Sequence, residues 1–379
     1  MTGERNARKA PGAGKKQLNL AFILTALFAS ALVTSIEARA ALTIEEQWVG
    51  ATPANAEDHR TLIDEASTWS ATFDNDILVP GARDQDYTYG ANINFSGQEA
   101  TRHWVSTHKA LAGIDKLLGI TTEHGARRIE YGLIGFTPEN ITENDVIADD
   151  RPYASLLYTA STNEYYDFKN RSAWISTLTV GALGLNVVGE IQKGVHDATE
   201  GTEPHGWDHQ ISAQGEPTAR LSIARQKLLI APTDHAEVKT SAQLSLGYIT
   251  EFNLSIGGRF GQLRSPWMAF RPELATYGET SAPANRSKLF EHYLWTGISL
   301  KARAYNAFLQ GQFRDSDHEL DSSELNHGIV EAWLGYTLGF ENGFRLTYAL
   351  RGHTSEINHV NADRSVVWGG LQLAKTFCP

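Results

Sequence analysis

The chain has one cysteine, Cys378, so no internal disulfide can brace it, and a scaffold of the small, disulfide-rich secreted kind is excluded. Bases are in deficit, with 33 Lys and Arg against 44 Asp and Glu. Beyond residue 40 no stretch holds 18 consecutive apolar residues, which excludes a membrane-spanning helix there. That test is blind to β-strands, whose alternating pattern leaves a weak signal per segment. Neither G-x-S-x-G nor H-E-x-x-H occurs, so a serine elbow and a zinc-protease helix are excluded too. There is no internal repeat or low-complexity block.

What the chain does have begins at its N-terminus. MTGERNARKAPGAGKK is basic, LNLAFILTALFASALV is apolar, and Ala38-Arg39-Ala40 is a small-x-small cleavage site. Residues 1–40 therefore read as a secretory signal peptide rather than a retained anchor. Removing its six bases and two acids leaves 27 against 42, a formal charge of −15 on the exported chain. Such a surface repels nucleic acid, and it meets phosphate-rich lipid only through bridging cations.

In GIVEAWLGYTLGF, Val330, Ala332, Leu334, Tyr336, Leu338 and Phe340 point one way, while Glu331, Gly335 and Thr337 point the other. This is period two with one apolar face, a strand pattern. The turn Glu341-Asn342-Gly343 follows, a strong hairpin signal. The next strand places Phe344, Leu346, Tyr348 and Leu350 on one face, with Arg345, Thr347 and Arg351 on the other. A sandwich interior would have to bury those arginines, whereas a barrel lumen can hydrate or pair them. The fold expected is all-β: a closed antiparallel transmembrane β-barrel over 68–379, behind an N-terminal periplasmic segment at 41–67. Strands are expected near 68–78, 85–95, 127–137, 152–164, 171–184, 217–230, 236–248, 250–262, 289–309, 326–340, 343–353 and 364–377. Twelve is an even count, as closure requires. VSTHKALAGIDKLLG (105–119) has helical spacing and predicts a short amphipathic helix between strands two and three.

With the N-terminus in the periplasm, the loops after strands one, three and five share the extracellular side. Parity thus gathers Asn75, Asp76, Thr88, the acidic PENITENDVIADD and the loop carrying Gln192 and His196 at one rim. Asp76 suits calcium, which takes oxygen ligands, although a solvated acidic rim explains the same residues. Gln192 and His196 are four apart and can share a helical face. The chemistry open to them is general-base activation of water; an idle exposed histidine is the plain alternative. His205 and His209, also four apart, make a transition-metal site the rival.

The motifs FDNDIL (73–78), DQDYTYGANINFSG (84–97), TPEN (137–140), DDRPYASLLYTASTNEYY (149–166) and QKGVH followed by GWDHQI run through the mature chain in order. Together they resemble the lipid A 3′-O-deacylases, the LpxR-type outer-membrane enzymes. The resemblance implies a twelve-stranded barrel with an active-site loop after strand five; a monomer among outer-membrane lipids is expected, although an apolar barrel exterior leaves the oligomeric state open. It also implies calcium-dependent removal of the 3′ acyloxyacyl group from lipid A in lipopolysaccharide. His196 then looks like the water-activating base, with Gln192, Asn75 and Thr88 as its neighbours in the site, and Asp76 and Glu203 as metal ligands. Two departures stand out: 138–151 contains no lysine where the family's site can include one, and Thr202 aligns most directly with a family glutamate. A non-enzymatic porin or structural barrel, and an outer-membrane phospholipase, are the competing readings.

Overall fold

The computed structural model describes residues 67–377, apart from 80–85, 122–124, 200–201, 234, 276, 278–289 and 360. The expected signal peptide, residues 41–66 of the expected periplasmic segment and the Cys378-Pro379 end lie outside the described residues.

Among the described residues twelve strands close into one antiparallel barrel, each pairing with its sequence neighbours and the first with the last. They are β1 (Ser67–Asn75), β2 (Asp86–Ser96), β3 (Arg127–Thr137), β4 (Ala154–Asp167), β5 (Ser172–Leu183), β6 (Glu216–Thr233), β7 (Ala236–Gly247), β8 (Ile249–Gln262), β9 (Glu291–Asn306), β10 (Gly328–Gly339), β11 (Phe344–His353) and β12 (Val366–Phe377). Three helices accompany them: α1 (His108–Leu117), α2 (Val187–Thr199) and α3 (Ala307–Gln310). The expected class and strand count hold.

Two strands stop earlier than their alternation suggests, for one reason. The Asn75 side chain accepts from the Ile77 amide at 2.7 Å and turns the chain into a 3-10 turn, Asp76–Leu78. Asn306 does the same for Phe308 at 3.1 Å and starts α3. An asparagine oxygen offers the next amide a partner that the ladder would otherwise have to provide.

The apolar face of each strand points outward, as a barrel in lipid demands. Leu334, Tyr336, Leu346, Leu371 and Leu373 are exposed, while Glu331, Thr337 and Arg345 on the opposite face are buried. Inside, the charges are paired. Arg345 meets Glu291, Arg303 meets Glu251 at 2.7 Å, and Arg259 meets Glu237 at 2.6 Å. Glu164 receives Arg128 at 2.5 Å and Arg271 at 2.6 Å.

Arg271 belongs to no strand. It sits in the connection between β8 and β9, whose described residues enter the barrel. Phe270 packs with Tyr293, Trp295 and Trp333, and Glu273 meets Lys239 at 3.4 Å. Tyr277 reaches Tyr87, Phe136 and Trp368 at the opposite end of the lumen, where its hydroxyl lies 2.7 Å from His353 Nε2. An occupied lumen weighs against the porin alternative.

α1 falls where expected, but its packing differs from the apolar stripe read from sequence. Leu117 and Leu118 are exposed, and His108, Leu111 and Asp115 form the buried face. Asp115 accepts from Asn163 at 2.9 Å and Tyr165 at 2.7 Å. The surface α1 meets is a polar stretch of the outer face of β4, Ser161, Asn163 and Tyr165, so its buried side chains are polar as well.

Candidate active site

Strand register tells which residues share the outside of the wall, because cross-strand partners lie on one face. Phe73, Ala91, Leu133 and Leu157 form one outward row; the next row toward the extracellular rim is Asn75, Tyr89, Gly135 and Ser155. Thr88 is skipped between Tyr87 and Tyr89, the extra residue of a β-bulge. That single residue lets Tyr87 face the lumen and Tyr89 the exterior, and bulges re-aim side chains in this way. Thr88 is buried, and its hydroxyl bonds that of Thr137 at 2.7 Å.

α2 lies on this outer row. The Tyr89 hydroxyl donates to the Val188 carbonyl, and Val188 packs with Tyr89, Ile141, Tyr153 and Trp207. Gly135 makes the approach possible, since a β-carbon there would stand 3.1 Å from Val188 Cγ1. The stretch expected as a loop is thus a 13-residue helix, packed against the wall. Val188, Gln192 and His196 follow one another at one-turn intervals on one side of it. The neighbouring stripe of Val187, Ile191 and Val195 is 43, 40 and 53 % exposed, an apolar edge on the exterior of a membrane barrel.

Backbone and aromatic groups orient the two polar residues. His196 Nδ1 bonds the Thr202 carbonyl. A carbonyl only accepts, so Nδ1 carries the hydrogen and Nε2 is the basic nitrogen of the neutral ring. The side chain at 202 is immaterial to this contact. Gln192 is 3 % exposed, and its Oε1 accepts from Trp207 Nε1 at 2.7 Å. Trp207 is seated by the Tyr153 ring at 5.0 Å and by Gly189, where a β-carbon would stand 2.7 Å from the indole. Neither Trp207 nor the 202 carbonyl was assigned a role from sequence. GWDHQI marked the tryptophan's position, but a backbone acceptor has no sequence signature.

Asn75, Asp76 and Thr88 gather at the β1–β2 rim. Asn75 is the cross-strand partner of Tyr89, so the hydroxyl that holds α2 belongs to its immediate neighbour. Asp76 is 4 % exposed in its turn, and Leu78 in the same turn is fastened by the Tyr348 hydroxyl at 2.7 Å. The structure thus forms two groups, Asn75/Asp76/Thr88 and Gln192/His196, linked through Tyr89. Glu203 is half-buried and held by Lys193 Nζ at 2.6 Å, and that hydrogen bond and charge keep its carboxyl below the usual carboxylate range. His209 bonds Asp317 at 2.6 Å rather than pairing with His205. Among the described residues, no three His, Cys, Asp or Glu converge as a metal-binding cluster.

The DDRPYAS motif fixes the surrounding loops. Asp150 accepts from the Glu139 amide at 2.8 Å, the Arg151 amide at 2.7 Å and Arg364 at 2.7 Å. Arg364 also reaches Asp86 at 2.8 Å, so one cluster ties the start of β2 to the loops after β3 and β11. Charge-assisted bonds of this kind give the rim its shape.

The known structure of LpxR from Salmonella typhimurium superposes on 82 % of this chain and all of its own, with a TM-score of 0.62 and 15 % identity. The β-domain of the Bordetella autotransporter BrkA, at 13 % identity, and the translocator domain of NalP from Neisseria meningitidis, at 10 %, align over 82 and 93 % of the chain. Their TM-scores are 0.38 and 0.36, a general likeness of barrels. No curated protein sequence matches. The family model described as outer membrane protein LpxR matches residues 38–377, and the chain belongs to that family of outer-membrane barrels.

Proposed function

We propose that the protein hydrolyses the 3′-linked acyloxyacyl ester of lipid A, with His196 as the base that activates water. The observation that carries this reading is the position of Gln192 and His196 on a helix laid against the outside of the wall, beside an apolar edge. A catalytic pair meant for a lumenal solute would face the lumen. This one sits on the exterior, where a lipid arrives by lateral diffusion in the outer leaflet.

His196 Nε2 takes the water proton while the Thr202 carbonyl fixes the ring. Calcium fits the donor chemistry of the rim, which is all oxygen: the Asp76 carboxylate, the Asn75 amide and the Thr88 hydroxyl. Asp76 is the residue that would hold it, and Glu203 would join only by leaving Lys193. Bound there, the ion would supply positive charge for the ester carbonyl oxygen at an otherwise anionic rim. A serine phospholipase mechanism has less support, since His196 is directed by a backbone carbonyl.

The test is mass spectrometry of lipid A after incubation with purified protein in calcium, in chelator, and with His196→Ala. Loss of one acyloxyacyl unit only with wild type and calcium supports the reading; intact lipid A in every sample from folded protein rejects it.

A further inference from the structure

The Gln192 carboxamide has a defined orientation. Indole Nε1 can only donate, so the atom 2.7 Å from it must be the amide oxygen. The amide nitrogen therefore points elsewhere. It is buried and has no hydrogen-bond partner among the described residues. Buried donors are almost always paired, and one held open by a seated tryptophan points to a ligand atom.

With its oxygen occupied, the amide can act only as a donor. Donation to the attacking water would draw on the lone pair needed for attack. Donation to the ester carbonyl oxygen strengthens as negative charge develops there. On the proposed ester hydrolysis, we infer that Trp207 is a positioning residue that holds the Gln192 N–H group toward the oxyanion of the tetrahedral intermediate. Water adds through oxygen to the carbonyl carbon as His196 takes its proton, and the carbonyl electron pair moves to the oxygen that Gln192 holds. Collapse breaks the bond to the sugar 3′ oxygen, which takes the proton back from His196. The products are a free acyloxyacyl acid and the sugar hydroxyl.

The experiment measures steady-state hydrolysis of lipid A in micelles with calcium by the full-length protein and by Gln192→Glu, Trp207→Phe and the double variant. Heat-modifiable gel migration confirms that each barrel is folded. Gln192→Glu keeps an acceptor for Trp207 but replaces the donor with an anionic oxygen, so kcat should fall about 100-fold or more. KM should stay within about threefold, because the bond is made in the transition state. Trp207→Phe keeps a ring beside Tyr153 and Gly189 but frees the amide, with an expected loss of roughly 10- to 100-fold in kcat. In that background Gln192→Glu should cost much less than in wild type. If folded Gln192→Glu keeps at least about a third of wild-type kcat, or if the two losses simply multiply, the inference is overturned while the hydrolase reading stands. An inactive wild type would remove both.

Discussion

Replacing Glu164 by glutamine gives the sharpest test of how the lumen is held together. Its carboxylate is the shared anion of Arg128 at 2.5 Å and Arg271 at 2.6 Å, with all three side chains essentially inaccessible. Glutamine preserves shape and removes the charge, leaving two buried guanidiniums facing one another. Stripping one partner from a buried pair costs about 3–5 kcal/mol, and two stranded cations make that a lower range here. Arg128 is in β3 and Arg271 in the connection between β8 and β9, so the loss falls on the attachment of that connection to the wall. Urea unfolding of the barrel in lipid vesicles, followed by tryptophan fluorescence, should show a loss of at least about 3 kcal/mol. Adding Arg271→Met removes one stranded cation and should restore part of the loss, with a non-additive energy between the sites. A change below about 1 kcal/mol would refute the reasoning, because it would mean that lumenal water screens the cluster as it screens a surface pair.

Four further outcomes follow from the geometry. His196→Ala should lower lipid A hydrolysis by about 10²–10⁴-fold, read by mass spectrometry, with the barrel's gel mobility unchanged. Asp76→Ala should abolish stimulation by calcium while the barrel stays folded, since a residue in a rim turn adds nothing to the strand ladder; equal wild-type activity in calcium and chelator would remove the metal from the mechanism. Ile191→Asp places a charge on the outward apolar edge of α2, and should slow hydrolysis of lipid A in vesicles more than of a short-chain ester in solution. Replacing residues 264–289 by a short Gly-Ser turn should create ion conductance in planar bilayers that the intact protein lacks, because Phe270, Arg271, Glu273 and Tyr277 of that segment pack inside the lumen.

Within the site, the parts legible in sequence were those carried by residue type and spacing. Gln192 and His196 share a helix side because four residues make about one turn. Asp76, Asn75 and Thr88 reach one rim because strand direction alternates. Their supports were not legible. The Thr202 carbonyl belongs to any residue, and the role of Trp207 depends on Gly189 and Tyr153 leaving its indole one place to sit. The bulge at Thr88 was hidden as well, since the aromatics two residues apart read as one face until the register slips.

The strands themselves were determined by the sequence alone, because period-two alternation is a local property and lipid outside a barrel reverses only which face is apolar. The arginines of β11 sufficed to choose a barrel over a sandwich, since a dry core has no place for them. Only the tertiary structure decided what fills the lumen. The connection between β8 and β9 carries no period, and its charges find their partners on β4, β6 and β7. It also decided that α2 lies outside the wall, which depends on the missing side chain at Gly135 and one hydroxyl at Tyr89. Alternation is written in neighbouring residues, whereas these placements rest on contacts between residues far apart in the chain, which exist only once the barrel has closed.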